Sequence, residues 1–140
     1  MIPGAAFEAS WESYFFERFV GRLGPSPANL GCVYAPAPLP DGALLMEMQA
    51  FVADKNVTED FGLVLWQKDN QSTDAAVEIA RIATTGVTPD PATFESYEDT
   101  EINYIVDNTN FNLFLAVAID STFCLSTDHS IFGVRLIYVP

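Results

Sequence analysis

Beyond residue 30, hydrophobic and polar positions alternate along the chain with a period of two. This period is typical of β-strands, because successive side chains of a strand point to opposite faces of a sheet. The clearest example is the segment 111–120, and the segments 61–67 and 131–139 are largely apolar on both faces, as expected of central strands. In the segment 44–52, the residues that share one face are Leu44, Met46, Met48, Ala50 and Val52.

Two segments carry mixed signals. The alanines and charged residues of 75–85 favour a helix by propensity, but Val77 and Ile79 alternate with their neighbours and predict a strand. The aromatic segment 7–23 is compatible with a helix or a strand, and its aromatic and β-branched content favours the strand.

The remaining segments complete an all-β pattern. The segment 101–110 predicts a short strand, and 87–94 and 126–130 predict a loop and a turn. Short strands separated by Gly, Pro and Asn turns predict a single antiparallel β-sandwich domain, jelly-roll-like, that spans 1–140. Within it, residues 1–30 are a candidate N-terminal arm. Its apolar residues are covered either by the chain's own sandwich or by a neighbouring subunit, and in the second case the arm takes part in assembly.

Composition limits the partners that the chain can have. Apolar residues make up 49% of it and charged residues 18%. Two explanations of this high apolar content remain open: part of it lies at an interface between subunits, or the core is unusually apolar. With 6 cations and 19 anions, the net charge is −13. Such a surface repels nucleic acid and anionic lipid. No apolar run reaches the roughly 18–20 residues of a membrane span, so neither nucleic-acid binding nor membrane insertion is predicted.

The start of the chain and its cysteines leave alternatives open. Met1 to Gly4 lack the basic and apolar regions of a signal peptide, so either the protein is made without a leader or the leader is not part of this sequence. Cys32 and Cys124 belong to no CxxC motif and are compatible with one disulfide bridge or with two buried thiols. We predict that they lie close together, because Cys32 begins a strand and Cys124 precedes the last one.

No catalytic constellation stands out, and the chain is predicted not to be an enzyme. The one histidine, His129, has Ser and Asp neighbours in 126–130, but neighbours in a turn rarely point at one another. We therefore expect an exposed turn histidine. A zinc site needs about three or four His or Cys ligands, and one histidine with two scattered cysteines cannot supply a usual one. The sequence also contains no P-loop, GxGxxG or GxSxG motif.

Calcium is the one metal for which suitable oxygen ligands are present, and no other cofactor is predicted. Two loops are rich in carboxylates and amides, but neither has the EF-hand spacing, and loops of this kind are mostly plain turns. The weak calcium candidates are Asp54, Asn56, Glu59, Asp60, Asp107, Asn108 and Asn110.

The proline-rich segment before 44–52 is predicted to be structural. Pro38 and Pro40 hold the chain extended, and Asp41 and Gly42 form a turn in which Gly42 needs a positive φ. Leu39 is then free to close one end of the sandwich. The segment contains no reacting group, so it is predicted to aim the following strand.

Four stretches that follow one another along most of the chain are "IPGAAF", "GCVYAPAPLPDGALL", "VDNTNFNLFLAVAI" and "FGVRLIYVP". Together they resemble a pattern of bacterial extracellular β-sandwich domains, with an Ile-Pro-Gly start, Ala-Pro and Leu-Pro-Asp-Gly-Ala, Val-Asp-Asn, and a final Gly-Val-Arg. The resemblance implies a secreted or cell-surface bacterial β-sandwich, and it implies no activity. The bulky segment "SWESYFFERF" departs from the pattern.

Two functions remain open at this point. The first is a structural protein that assembles with copies of itself into an oligomer or polymer, and an extended N-terminal arm suits strand addition. Its assembly residues would be Phe7, Trp11, Tyr14 and Phe16. The second is a lectin-like module that binds glycans, because sugars stack on exposed aromatic rings. Its candidates, each expected more often in a core or an interface, are Trp11, Tyr14, Trp66, Tyr97 and Tyr104.

Overall fold

The computed structural model describes residues 2–3, 8–9, 16–19, 22–25, 31–87, 95–119, 124–125 and 128–140. The described residues form strands and no helix, so no described helix has the length and apolar character of a membrane span. In chain order the strands are β1 (Ile2–Pro3), β2 (Glu8–Ala9), β3 (Phe16–Phe19), β4 (Arg22–Pro25), β5 (Gly31–Pro36), β6 (Leu44–Asp54), β7 (Phe61–Asp69), β8 (Val77–Ala83), β9 (Glu95–Asp99), β10 (Tyr104–Ile105), β11 (Phe111–Ile119), β12 (Cys124–Leu125) and β13 (His129–Val139).

These strands form two antiparallel sheets. Sheet A has the order β10-β6-β13-β4-β3, with β1 beside β13 and β9 beside β6. Sheet B has the order β12-β5-β11-β7-β8, with β2 beside β5. The chain crosses from sheet B to sheet A between β5 and β6 and returns between β6 and β7. The predicted antiparallel, jelly-roll-like β-sandwich is confirmed.

The hydrophobic core lies between the sheets and is formed mainly by the long strands β6, β7, β11 and β13. Burial of one large aliphatic or aromatic side chain stabilises a fold by about 1.5–3 kcal/mol. The largest fully buried apolar side chains are Phe61, Leu45, Met48, Leu63, Leu65, Leu115 and Ile131. These buried side chains hold the two sheets together.

A β-bulge changes which face of β6 is buried. Ile137 pairs with Glu47 and Tyr138 with Leu45, so Met46 is the extra residue. The alternation predicted Leu44 and Met46 on the same face as Met48, but Leu45 is buried and Met46 is 45% exposed. The prediction was wrong at this end of the strand because a bulge shifts the alternation by one residue.

Other segments differ from the sequence prediction in specific ways. The ambiguous segment 75–85 contains strand β8, as predicted. Strand β9 was not predicted, because its sequence "ESYED" has no apolar alternation, and it pairs with β6 along its length. Of 101–110, only β10 is a strand, and the segment 126–130, predicted as a turn, already enters β13 at His129.

The described parts of the N-terminal segment pair with strands of the same chain. Strand β1 pairs with β13, β2 pairs with β5, and β3 and β4 form a hairpin at the edge of sheet A. Phe16 lies in β3 opposite Pro25, whereas Phe7, Trp11 and Tyr14 lie outside the described residues. A role of this segment in assembly stays a prediction.

The two cysteines lie on paired strands. Cys124 of β12 is directly opposite Cys32 of β5 in the antiparallel register. The Cα atoms of directly opposed residues in an antiparallel pair lie roughly 4.5–5.5 Å apart, which is within the range that a disulfide bridge spans. A bridge between them stays a prediction.

Candidate functional site

A strip of prolines runs along one end of the sandwich, where the chain crosses from sheet B to sheet A. Pro36, Pro38 and Pro40 are exposed, and the residues between them, Ala37 and Leu39, are buried. The alternation follows from the extended backbone that proline enforces on itself and on the residue before it. Leu39 therefore closes the end of the core as predicted, while the three rings form an apolar outer surface.

The turn after this strip has the predicted geometry. The backbone N–H of Ala43 donates to the carbonyl of Pro40 at 3.2 Å, and Gly42 has a φ of 77°. A positive φ at the third residue of such a turn favours glycine. Gly42 N–H also donates to the carbonyl of Val106 at 2.8 Å, which ties the turn to the loop that follows β10.

That loop provides a second wall opposite the prolines. The backbone N–H of Asn108 donates to Oδ1 of Asp41 at 2.7 Å, and its Nδ2 donates to the carbonyl of Leu39 at 2.8 Å. Asn112, at the start of β11, donates through Nδ2 to Oδ1 of Asn70. Both amide side chains are therefore held in position by neutral hydrogen bonds.

A carboxylate cap shapes the same loop. Asp107 accepts hydrogen bonds from Nδ2 of Asn110 at 2.7 Å and from the backbone N–H groups of Thr109 and Asn110, each at 3.1 Å. These donors, first of all the Asn110 amide, lower the pKa of the Asp107 carboxyl, because they stabilise its ionised form. The ionised cap fixes the path of the chain into β11.

Between the two walls lies an open groove of about 550 Å³. Its lining residues are Pro36, Ala37, Pro38, Leu39, Pro40, Asn108, Asn112, Leu113 and Tyr138. None of these described residues is charged, although the chain has a net charge of −13. The Tyr138 hydroxyl and the amide oxygens of Asn108 and Asn112 have no hydrogen-bond partner among the described residues. The groove can thus offer flat apolar surfaces and free polar groups to an uncharged ligand.

The buried polar side chains of Asp54, Thr84 and His129 lie at the opposite end of β6 and contact one another. The Nε2 atom of His129 lies 3.2 Å from Oδ1 of Asp54, and both side chains have no exposed surface. The Thr84 hydroxyl donates to Oδ2 of Asp54 at 2.5 Å. The prediction of an exposed turn histidine was wrong, because His129 is the first residue of β13 and packs on the Phe61 ring at 5.9 Å between centroids. A substrate cannot reach fully buried side chains, so this cluster is no catalytic triad.

The calcium candidates take part in hydrogen bonds within their loops or to other segments of the chain, and Oε2 of Glu59 accepts from Nδ2 of Asn56 at 3.4 Å. Asp54 lies in the buried cluster, and Oδ1 of Asn56 accepts from Thr58 and Glu59. Oδ1 of Asp60 accepts from the Gly86 N–H at 2.8 Å. Asp107, Asn108 and Asn110 form the groove loop described above. In the described part of the chain, no three His, Cys, Asp or Glu side chains are placed to hold one ion; calcium binding stays a prediction.

Two of the five aromatic candidates are packed against the core. Tyr97 and Tyr104 are half-buried against it, and burial raises the pKa of both phenols. Trp66 is half-buried on the outer face of sheet B, opposite Phe114 of β11. Trp11 and Tyr14 lie outside the described residues. Among the described aromatic residues, Tyr138 lines the groove and is 39% exposed. Sequence reasoning missed it because alternation alone gave no reason to single it out.

Comparison with family models and with curated proteins finds no match. Among solved structures, the chain is similar to Clostridium thermocellum endo-1,4-β-D-xylanase 10B, described as its CBM22-1 and GH10 modules complexed with xylohexaose. The TM-score is 0.57 at 15% identity, and the match covers 96% of this chain and 26% of the xylanase chain. The chain thus spans about a quarter of the length of the protein that it matches. The likeness supports the β-sandwich fold.

Proposed function

We propose that this chain is a non-catalytic, extracellular glycan-binding module and that its ligand site is the groove between the proline strip and Tyr138. Support comes from the fold, since the solved chain that it resembles contains a carbohydrate-binding module next to a GH10 module and was studied with xylohexaose. The β-sandwich is a frequent scaffold for lectins, but function depends on the site that a fold carries. The ligand of this chain is therefore decided by its groove.

The observation that carries the proposal is an uncharged, partly aromatic groove on a strongly acidic protein. A neutral sugar has apolar C–H faces and a rim of hydroxyl groups. The faces match the rings of Tyr138 and of the prolines, and the hydroxyls match the free amide oxygens of Asn108 and Asn112. The volume of about 550 Å³ lies within the common range for small-ligand sites.

The test uses two neighbouring residues on opposite faces of β13. Tyr138 and Ile137 have nearly equal exposure, 39% and 38%, but only Tyr138 lines the groove. We expect Tyr138→Ala to weaken glycan binding by about tenfold or more, which corresponds to roughly 1.4 kcal/mol, and Ile137→Ala to leave it unchanged. Calorimetric titration with xylohexaose, cellohexaose and mannohexaose measures this. Binding by none of the three, or equal binding by both variants, would overturn the proposal.

A second candidate function is self-assembly, and one observation favours it. Ile105, Leu44 and Val139 form a row across β10, β6 and β13 on the outer face of sheet A. Ile105 is 67% exposed and Val139 is 51% exposed, so this end of the sheet presents aliphatic surface to its surroundings. If the row is an interface between copies of the chain, Ile105→Asp will reduce the particle mass that light scattering measures. A wild-type protein that is monomeric at all concentrations would remove this candidate.

A further inference from the structure

The middle of the outer face of sheet A differs from its aliphatic end, because it presents polar and aromatic side chains in register across three strands. Arg135 of β13 is opposite Gln49 of β6, and Gln49 is opposite Glu98 of β9. Phe51 lies on the same face, two residues from Gln49 and opposite Ser96. This face is separate from the groove. The groove is lined by the proline strip, by Asn108, Asn112 and Leu113, and by Tyr138.

Arg135 is held in a defined orientation on this face. Its guanidinium carbon lies 5.7 Å from the centroid of the Phe51 ring, within the range of a cation–π contact. Its Nη1 donates to Oε1 of Gln49 at 3.3 Å, and Nε2 of Gln49 donates to Oγ of Ser96 at 2.8 Å. The planar guanidinium is therefore supported by a ring on one side and by a hydrogen-bonded chain at its edge.

No carboxylate within the described part of the chain lies at ion-pair distance from Arg135, even though the protein has 19 acidic residues. Arg81 shows the contrast. It donates through Nε and Nη2 to the two carboxylate oxygens of Glu78, at 3.0 and 2.7 Å. Of the five N–H donors of a guanidinium, Arg135 uses one within the described residues, and the others remain for a ligand.

We propose that Arg135, supported by Phe51 and Gln49, is a carboxylate-binding site through which this protein recognises acidic sugar units. A guanidinium offers two parallel N–H donors that match a carboxylate, and such bidentate pairs are among the strongest polar contacts in proteins. The exposed Ser96 hydroxyl, which is linked to Arg135 through the Gln49 amide, suits a sugar hydroxyl. The inference rests on the proposed glycan-binding function, and it adds a second face and a second ligand class, the uronate-containing glycan.

The experiment compares two probes that differ in the carboxylate. Hexagalacturonate carries free carboxylates, and its fully methyl-esterified form carries the same backbone without the charges. We expect the wild-type protein to bind hexagalacturonate at least about tenfold more tightly than the ester, and to lose binding as salt is added. Equal affinity for the two probes, or binding that strengthens with salt because screening relieves repulsion by the acidic surface, would overturn the site.

Matched variants assign the effect to the residue. Arg135→Gln and Arg81→Gln each remove one positive charge, so the net charge of the two variants is the same. We expect Arg135→Gln to abolish the preference for the acid and Arg81→Gln to retain it. Arg135→Lys is expected to bind hexagalacturonate more weakly than wild type, because an ammonium group lacks the planar fork of a guanidinium. Cooperative melts establish that each variant is folded. If both Gln variants lose the preference equally, only overall charge matters and the site is refuted.

The two proposals fail in distinguishable ways. Binding of neutral hexasaccharides that depends on Tyr138, without a preference for hexagalacturonate, overturns the Arg135 site and leaves the groove. Binding of hexagalacturonate that depends on Arg135, without neutral binding, overturns the groove and supports the site on sheet A. A protein that binds neither class overturns both.

Discussion

Asp54 is a fully buried carboxylate whose two oxygens are both used. Its Oδ1 accepts from the N–H of Asn56 at 2.9 Å and contacts His129, and its Oδ2 accepts from Thr84 and from the N–H of Phe61 at 3.2 Å. A buried carboxylate without such partners would cost several kcal/mol. The cluster joins the end of β6 to the start of β7, the end of β8 and the start of β13.

Thr84→Val tests this cluster. The substitution keeps the shape of the side chain but removes the hydroxyl that bonds to Asp54, and we expect a loss of about 1–3 kcal/mol in the free energy of unfolding. Thr85→Val is the matched control, because Thr85 is exposed and should change stability by less than about 0.5 kcal/mol. Urea titrations measure both, and equal midpoints for the two variants would show that the cluster does not stabilise the fold.

Asp107 predicts a pH dependence of stability. Its pKa is lowered in the folded protein, so the unfolded chain binds the proton more readily. The contribution of Asp107 is therefore complete above the ordinary pKa of an aspartate and is lost as the pH falls through the lowered folded value. We expect the difference in urea midpoint between wild type and Asp107→Asn to be largest near neutral pH and to close in acid. A difference that does not change with pH would contradict the assignment.

Among the connections, the turn from Pro40 to Ala43 shows how a short motif positions long strands. It sets the start of β6, whose partners on both sides are β13 and β9 or β10. A Cβ at Gly42 would meet no atom within 4 Å, so space does not exclude a side chain there. The φ of 77° alone makes glycine the favoured residue.

We expect Gly42→Val to destabilise the protein by about 1–2 kcal/mol, because a β-branched residue resists a left-handed backbone. Asp41→Ala removes the hydrogen bond to the N–H of Asn108, and we expect a smaller loss of roughly 0.5–1.5 kcal/mol. Midpoints of chemical denaturation rank the two variants. If Asp41→Ala is the more damaging change, the cross-loop bond and not the glycine holds the turn.

In the molecule as a whole, the cysteine pair would link strands that are far apart in sequence. Cys32 and Cys124 are opposed in the β5–β12 register. A bridge there would close a loop of most of the chain and stabilise it by roughly 4 kcal/mol in the chain-entropy model. We predict that denatured, unreduced protein has no titratable thiol. Two reactive thiols per chain would leave only the alternative of reduced cysteines.

Local chemistry was sufficient to predict the sandwich, the turn at Gly42 and the position of Leu39. Each depends on a few neighbouring residues: alternation predicts a strand, proline enforces an extended path, and a turn with positive φ selects glycine. Even the ambiguous segment 75–85 was predicted as a strand, because the alternation of Val77 and Ile79 was given more weight than helix propensity.

Long-range packing decided the rest. The bulge at Met46 and the strand β9 arise from pairing with strands distant in sequence, so no local pattern marks them. His129 is buried because β7 and β8 bring Phe61 and Thr84 to the same end of the sandwich as Asp54. The groove and the Arg135 face likewise combine side chains from separate strands and loops. Side chains so far apart in sequence meet only when the sheets assemble, and that juxtaposition is a property of the register and stacking of the sheets.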